Sequence, residues 1–120
     1  GTRDMSAFLT IPTAIQFLKN NNWVELSKEC KNQVIQTRNH FLRSFNISTP
    51  CPDNWLGQMA SIPLPINNAI EFKKILLKKY NIQVPIFEWN NKIYLRYSIQ
   101  VYNSSDDLNK LYFAIKELLY

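Results

Sequence analysis

The sequence predicts a two-layer α+β domain, a small and mostly antiparallel sheet covered by helices on one side. Three observations predict it. Hydrophobic periodicity runs in the order helix, long helix, strand, helix, strand, strand, helix. The 120 residues, 46% of them apolar, suit a single domain over 1–120 that buries roughly two-thirds of its unfolded surface. Residues 92–103 alternate strictly: Ile93, Leu95, Tyr97, Ile99 and Val101 lie on one side, Tyr94, Arg96, Ser98 and Gln100 on the other.

The elements follow in order. Residues 7–19 place Phe8, Ile11, Ile15 and Leu18 at helical spacing, and Pro12 inside the run implies a kink or a restart near Thr10. Asn20, Asn21 and Asn22 break it. Asn22 with Glu25 resembles a capping box for a long second helix, with Trp23, Leu26, Cys30, Val34 and Phe41 as its apolar stripe towards Phe45. Lys28, Lys31, Asn32 and Arg38 would face water. Residues 46–58 form an irregular connection built around Pro50, Cys51 and Pro52.

Residues 59–64 read as a short strand bounded by Pro63 and Pro65, at an edge or a strand end. Asn67 or Asn68 caps a third helix whose core contacts would be Ile70, Leu76, Leu77 and Tyr80. Residues 82–89 form a strand, and the asparagines of Glu88-Trp89-Asn90-Asn91-Lys92 suit a hairpin turn. Ser104 starts a last helix with Asp106 and Asp107 near its positive end and a stripe of Leu108, Leu111, Ile115, Leu118 and Leu119. Trp23, Phe41, Phe72 and Phe113 sit at helical spacing and are expected in the core.

Composition narrows the function. Two glycines argue against glycine-rich phosphate loops and repeats. No apolar run approaches the ~20 residues that span a bilayer, and no signal-peptide pattern opens the chain. A soluble, cytoplasmic protein without a membrane partner is the expectation. The net charge of +5 permits nucleic-acid contact without requiring it, and Lys73, Lys74, Lys78 and Lys79 fit a solvated helix face. Cys30 and Cys51 form no CxxC pair and have no histidine at ligand spacing, so neither a zinc site nor a disulfide is expected. His40, the only histidine, reads as a partly exposed helix residue, and no nucleophile or carboxylate pair is placed for catalysis.

Arg96 is the candidate for ligand binding. A guanidinium on a rigid strand can grip a carboxylate or phosphate with two parallel hydrogen bonds. The competing assignment is an exposed arginine paired with Glu88 across the hairpin.

Four motifs in order then carry a resemblance over nearly the whole chain. They are Gly1-Thr2-Arg3-Asp4 before a helix containing Pro12, Gln58-Met59-Ala60-Ser61-Ile62-Pro63-Leu64-Pro65, Ile82-Gln83-Val84-Pro85-Ile86-Phe87, and Leu95-Arg96-Tyr97-Ser98-Ile99-Gln100-Val101-Tyr102-Asn103 followed by acidic residues and a leucine-rich helix. Together they resemble the C-terminal small domain of class V aminotransferase-like enzymes, fold type I, closest to the isopenicillin N epimerase-like branch and its cysteine desulfurase relatives. The resemblance implies pyridoxal 5'-phosphate as cofactor, an amino-acid substrate, a preceding large cofactor-binding domain and a homodimer. It also implies that Arg96 binds the substrate's α-carboxylate and that Gly1 and Thr2 contact the cofactor phosphate. Arg3 and Asp4 match without an implied role, and Asn103 is expected to end the strand and organise the helix start rather than touch substrate.

The lysine that forms a Schiff base with the cofactor, and the aspartate that faces its ring nitrogen, belong in that family to the large domain. This chain alone should therefore be inactive, and epimerase, desulfurase, lyase and transaminase chemistry all stay open. Two other readings stand beside it. The strand–helix–strand–strand–helix order of 59–120 overlaps ferredoxin-like modules that bind RNA or regulatory ligands, and the chain could be a non-catalytic dimerisation domain.

Overall fold

The computed structural model describes residues 4–120. Its elements are α1 (Ser6–Leu9), α2 (Ile11–Asn20), α3 (Trp23–Ser44), β1 (Met59–Leu64), α4 (Ala69–Tyr80), β2 (Ile86–Trp89), β3 (Lys92–Ser98) and α5 (Ser105–Leu119), with a short 3-10 turn at Asp53–Trp55. The three strands form one antiparallel sheet in the order β1-β3-β2. This is the predicted α+β class.

The central strand organises the rest. Ile93, Leu95, Tyr97 and Ile99 are buried on one face, joined there by Ala60, Ile62 and Leu64 of β1. Against that face pack Val34 and Phe41 of α3, Phe72 and Leu76 of α4, and Leu111 and Ile115 of α5. A fully buried leucine or isoleucine contributes about 1.5–3 kcal/mol, so the face is held mainly by these contacts. The opposite face carries Ser61, Pro63, Tyr94, Arg96 and Ser98 and stays open.

Most element ends have a local cause. Pro12 falls in the first turn of α2, where a missing N–H costs nothing, so the helix restarts after Thr10 rather than kinking. Asn22 does precede α3, but it sits in the left-handed region (φ 52°) and makes no side-chain cap. Asn68 caps α4 by accepting from the Glu71 N–H, and Ser104 and Asp107 form a complete capping box on α5. Asn90 and Asn91, both at positive φ, make the two-residue hairpin turn. β2 is shorter than the expected 82–89. Pro85 accepts from the Arg96 N–H but has none of its own to return, and pairing stops at Ile86. β3 ends at Ser98, and Val101, expected on the core face, is exposed in the turn beyond it.

Several expected core residues are not in the core. Ile70 (82% exposed), Leu77 and Phe113 (63% exposed) face outward because their helices bury only one narrow face, through Phe72 and Leu76 or through Leu111, Ala114 and Ile115. Phe8, Ile11, Ile15 and Leu18 are also exposed. Their helices lie outside the layer that closes the sheet and bury none of their residues.

Arg38, expected in water, is instead 1% exposed. Its Nη1 donates to the Cys51 carbonyl at 2.9 Å and meets the Cys51 Sγ at 3.3 Å, while Nη2 pairs with the Asp53 carboxylate. Asn39 also donates to Asp53. One buried guanidinium thus fastens the irregular 46–58 connection to α3. Removing the carboxylate leaves a buried cation short of a partner, which costs about 1–3 kcal/mol when water can reach one side. Asp53→Ala should lower the denaturant-unfolding free energy by that amount; an unchanged midpoint would mean that Asp53 holds nothing.

Tyr97 donates its hydroxyl to the Val34 carbonyl at 2.7 Å inside the core. Burial pushes its phenol well above the ordinary range. An unfolded tyrosine titrates near pH 10, about where the unfolded chain begins to lose a proton that the folded chain keeps. Its contribution to stability is therefore complete below that pH and lost as pH rises towards the folded value. The stability difference between wild type and Tyr97→Phe should be constant at neutral pH and shrink above about pH 10. A difference independent of pH would contradict this.

Candidate functional site

Arg96 occupies the middle of β3 on the open face, directly opposite Ser61 of β1. The strand is paired on both sides, so the guanidinium stems from a fixed backbone. Among the described residues Arg96 makes no ion pair. Glu88 is not its partner: it pairs with Ile93, and the two-residue period of a strand puts both on the face opposite Arg96.

A cleft of about 420 Å³ opens beside Arg96, between residues 81–85 and the start of α5. The sheet is incomplete here. Ile99 donates to the Gln58 carbonyl on the β1 side and Arg96 donates to Pro85 on the β2 side. By the alternation of an antiparallel ladder, the Ser98 N–H then points towards Gln83, yet no backbone hydrogen bond joins the two. The cleft therefore offers a guanidinium and a backbone donor from adjacent same-face positions of one strand. Charge-assisted hydrogen bonds of this kind suit a carboxylate.

Asn103 lines the same cleft, but its carboxamide oxygen accepts from the Gln100 N–H at 2.9 Å, which turns the chain from β3 into α5. Asn103 thus organises the approach to α5, while the strand it is expected to end stops earlier, at Ser98. Gly1 and Thr2, the candidate phosphate contacts, and Arg3 lie outside the described residues. Asp4 accepts from the Ser6 N–H and hydroxyl at the start of α1, and these bonds hold its carboxyl below the usual range. His40 is exposed, its ring 4.3 Å from that of Tyr112, with no carboxylate or nucleophile bonded to it. No group of three or more metal-ligating side chains exists among the described residues.

The sequence missed a second feature of the open face. Phe87 and Tyr94 stack at 5.9 Å, and Trp89 meets Tyr94 edge-on at 6.2 Å. The signal was present: Phe87 and Trp89 alternate on β2, and Phe87 pairs with Tyr94 across a hairpin whose register the two asparagines fix.

No family model matches the chain. Individual proteins do. A protein from Arabidopsis thaliana named as a probable chloroplastic L-cysteine desulfhydrase is 26% identical over 99% of this chain. Isopenicillin N epimerase from Amycolatopsis lactamdurans is 26% identical over 98% of it. The chain spans only 29–30% of the length of these relatives. Among solved structures, 8-amino-7-oxononanoate synthase from Francisella tularensis superimposes with a TM-score of 0.67 at 26% identity, over 91% of this chain and 32% of that one. No described helix is long and apolar enough to cross a membrane. The predicted α+β fold and these alignments, which run over nearly the whole of this chain, agree: the chain is similar to pyridoxal-phosphate enzymes, among them a cysteine desulfhydrase and isopenicillin N epimerase in sequence and a fold type I enzyme in structure.

Proposed function

We propose that this chain is the C-terminal small domain of a pyridoxal-phosphate enzyme acting on an amino acid, and that Arg96 binds the substrate's α-carboxylate. The observation that carries this reading is a guanidinium without an ion-pair partner among the described residues, on a doubly paired strand beside an open backbone donor at Ser98. One of the named relatives supports an amino-acid substrate class, since its name specifies L-cysteine.

The described residues do not build the cofactor's own site. None of their lysines is buried, whereas a Schiff-base lysine needs a desolvated pocket to be reactive near neutral pH. The proposal therefore assigns the cofactor's lysine and its ring partner to a preceding large domain, its phosphate contact in part to Gly1 and Thr2, and completion of the site to a homodimer. When bound, the cofactor supplies the electron sink. What this chain supplies is orientation. Two hydrogen bonds from Arg96 fix the carboxylate plane, and with it the direction of the substrate's Cα–H, so the reacting bond is held in one geometry rather than sampled. The same clamp serves epimerisation, elimination or transamination.

Losing a charge-assisted pair costs about 1.5–3 kcal/mol, or roughly tenfold to a hundredfold in affinity. In the full-length protein, Arg96→Ala should raise the amino acid's KM by that factor and leave cofactor absorbance unchanged. Arg96→Lys should recover only part, because an ammonium cannot reproduce the two parallel bonds. Unchanged kinetics in Arg96→Ala would remove it from the site.

A second reading draws on the aromatic trio. Phe87, Trp89 and Tyr94 on an open sheet face, near Lys92 and Arg96, could stack unpaired bases in a chain of net charge +5. Titration with single-stranded RNA separates the two. Binding that weakens steeply with added salt would favour the nucleic-acid module; no binding at low salt would dismiss it.

A further inference from the structure

The open face of the sheet carries more apolar surface than a solvated face needs. Trp89 is 61% exposed, and with Phe87 and Tyr94 it forms one side of a cleft of about 410 Å³. The other side is Ser48, Thr49 and Pro50, from the connection that Arg38 fastens to α3. Ser61 and Pro63 of β1 lie along it, and Lys92 stands at its far end.

Three observations say what the cleft takes. It begins opposite Arg96, since Ser61 is the cross-strand partner of Arg96, and Tyr94 is two residues from Arg96 on the same face. Two residues of strand span about 7 Å, the reach of a large side chain from its own carboxylate. The lining alternates rings with hydroxyls and an ammonium, which suits a small amphipathic ligand better than the dry centre of a domain contact. No carboxylate lines it, so a neutral or anionic group fits and a cationic one does not.

We propose that this cleft receives the side chain of the amino acid whose α-carboxylate Arg96 holds, so that the substrate is an α-amino acid with an extended, flat or apolar side chain rather than one of cysteine size. The inference rests on the Arg96 reading and adds its substrate class. Phe87 and Tyr94 then act as specificity residues. Their rings present a rigid stacking surface that gains most from a large flat group and almost nothing from a methyl.

The test is calorimetric titration of the full-length protein, cofactor bound, with tryptophan and with alanine. Wild type should bind tryptophan at least tenfold more tightly. Tyr94→Ser and Phe87→Ser should each raise the tryptophan Kd about tenfold, as expected for the loss of one stacking surface, and change the alanine Kd less than twofold. Thr49→Trp, which narrows the cleft from the 46–58 connection rather than from beside Arg96, should weaken tryptophan far more than alanine, and it keeps the test valid if the ring-removing variants fold poorly. Equal affinities in wild type, or equal losses for both amino acids in the variants, overturn the inference. Arg96→Ala run alongside separates the two claims. Weakening of both amino acids there, together with a size-independent response in Tyr94→Ser, overturns the side-chain cleft alone. Unchanged binding in Arg96→Ala overturns the carboxylate clamp and the cleft with it.

Discussion

The structure depends on β3 being paired on both sides. A central strand has no freedom to slip, because a shift of one residue would move Ile93, Leu95 and Tyr97 into water and bring Tyr94 and Arg96 into the core. The same constraint that buries one set of side chains therefore presents the other set in a fixed order: Lys92, Tyr94, Arg96, Ser98. A charged residue that would be mobile on a helix end becomes a positioned donor here. The buried face and the open face follow from one alternation.

Around that strand the helices divide the work. α3, α4 and α5 close the inner face with Val34, Phe41, Leu76, Leu111 and Ile115, and Tyr97 ties the sheet to α3 through the Val34 carbonyl. One turn further along α3, Arg38 reaches the 46–58 connection, and that connection forms a wall of the aromatic cleft. A buried ion pair of this kind contributes little net stability but penalises any arrangement that leaves the guanidinium alone. It therefore specifies where an otherwise irregular, proline-containing segment lies. Lys79 of α4 and Glu117 of α5 pair on the surface at 2.6 Å, too exposed to matter comparably.

Much of this was legible in the chain itself. The α+β class, the order of elements, a break of the first helical run by Pro12, the asparagine hairpin turn and the Ser104 cap all rest on local rules, and local rules survive folding. What sequence periodicity could not weigh was tertiary context. Ile70, Leu77 and Phe113 are as apolar as their neighbours, yet each falls just off the narrow stripe its helix buries. Arg38 was assigned to water by its charge, although it stands four residues after Val34 and three before Phe41, on the buried stripe itself. A charged side chain is rarely buried unless a partner meets it, and the partners here, Cys51 and Asp53, lie in the irregular connection, out of reach of helical periodicity. At the site, the orientation of Arg96 followed from alternation alone, the carboxylate role proposed for it rests on a guanidinium's fit to a carboxylate and on family resemblance, and the aromatic cleft required knowing that Phe87 pairs with Tyr94.

The central claim is that Arg96 holds a carboxylate. It is tested most directly by a crystal structure of the full-length protein with an amino acid bound. The account predicts both carboxylate oxygens within about 2.7–2.9 Å of the Arg96 guanidinium nitrogens, in the parallel two-bond arrangement. A carboxylate held by other residues, with Arg96 turned away into solvent, would contradict it.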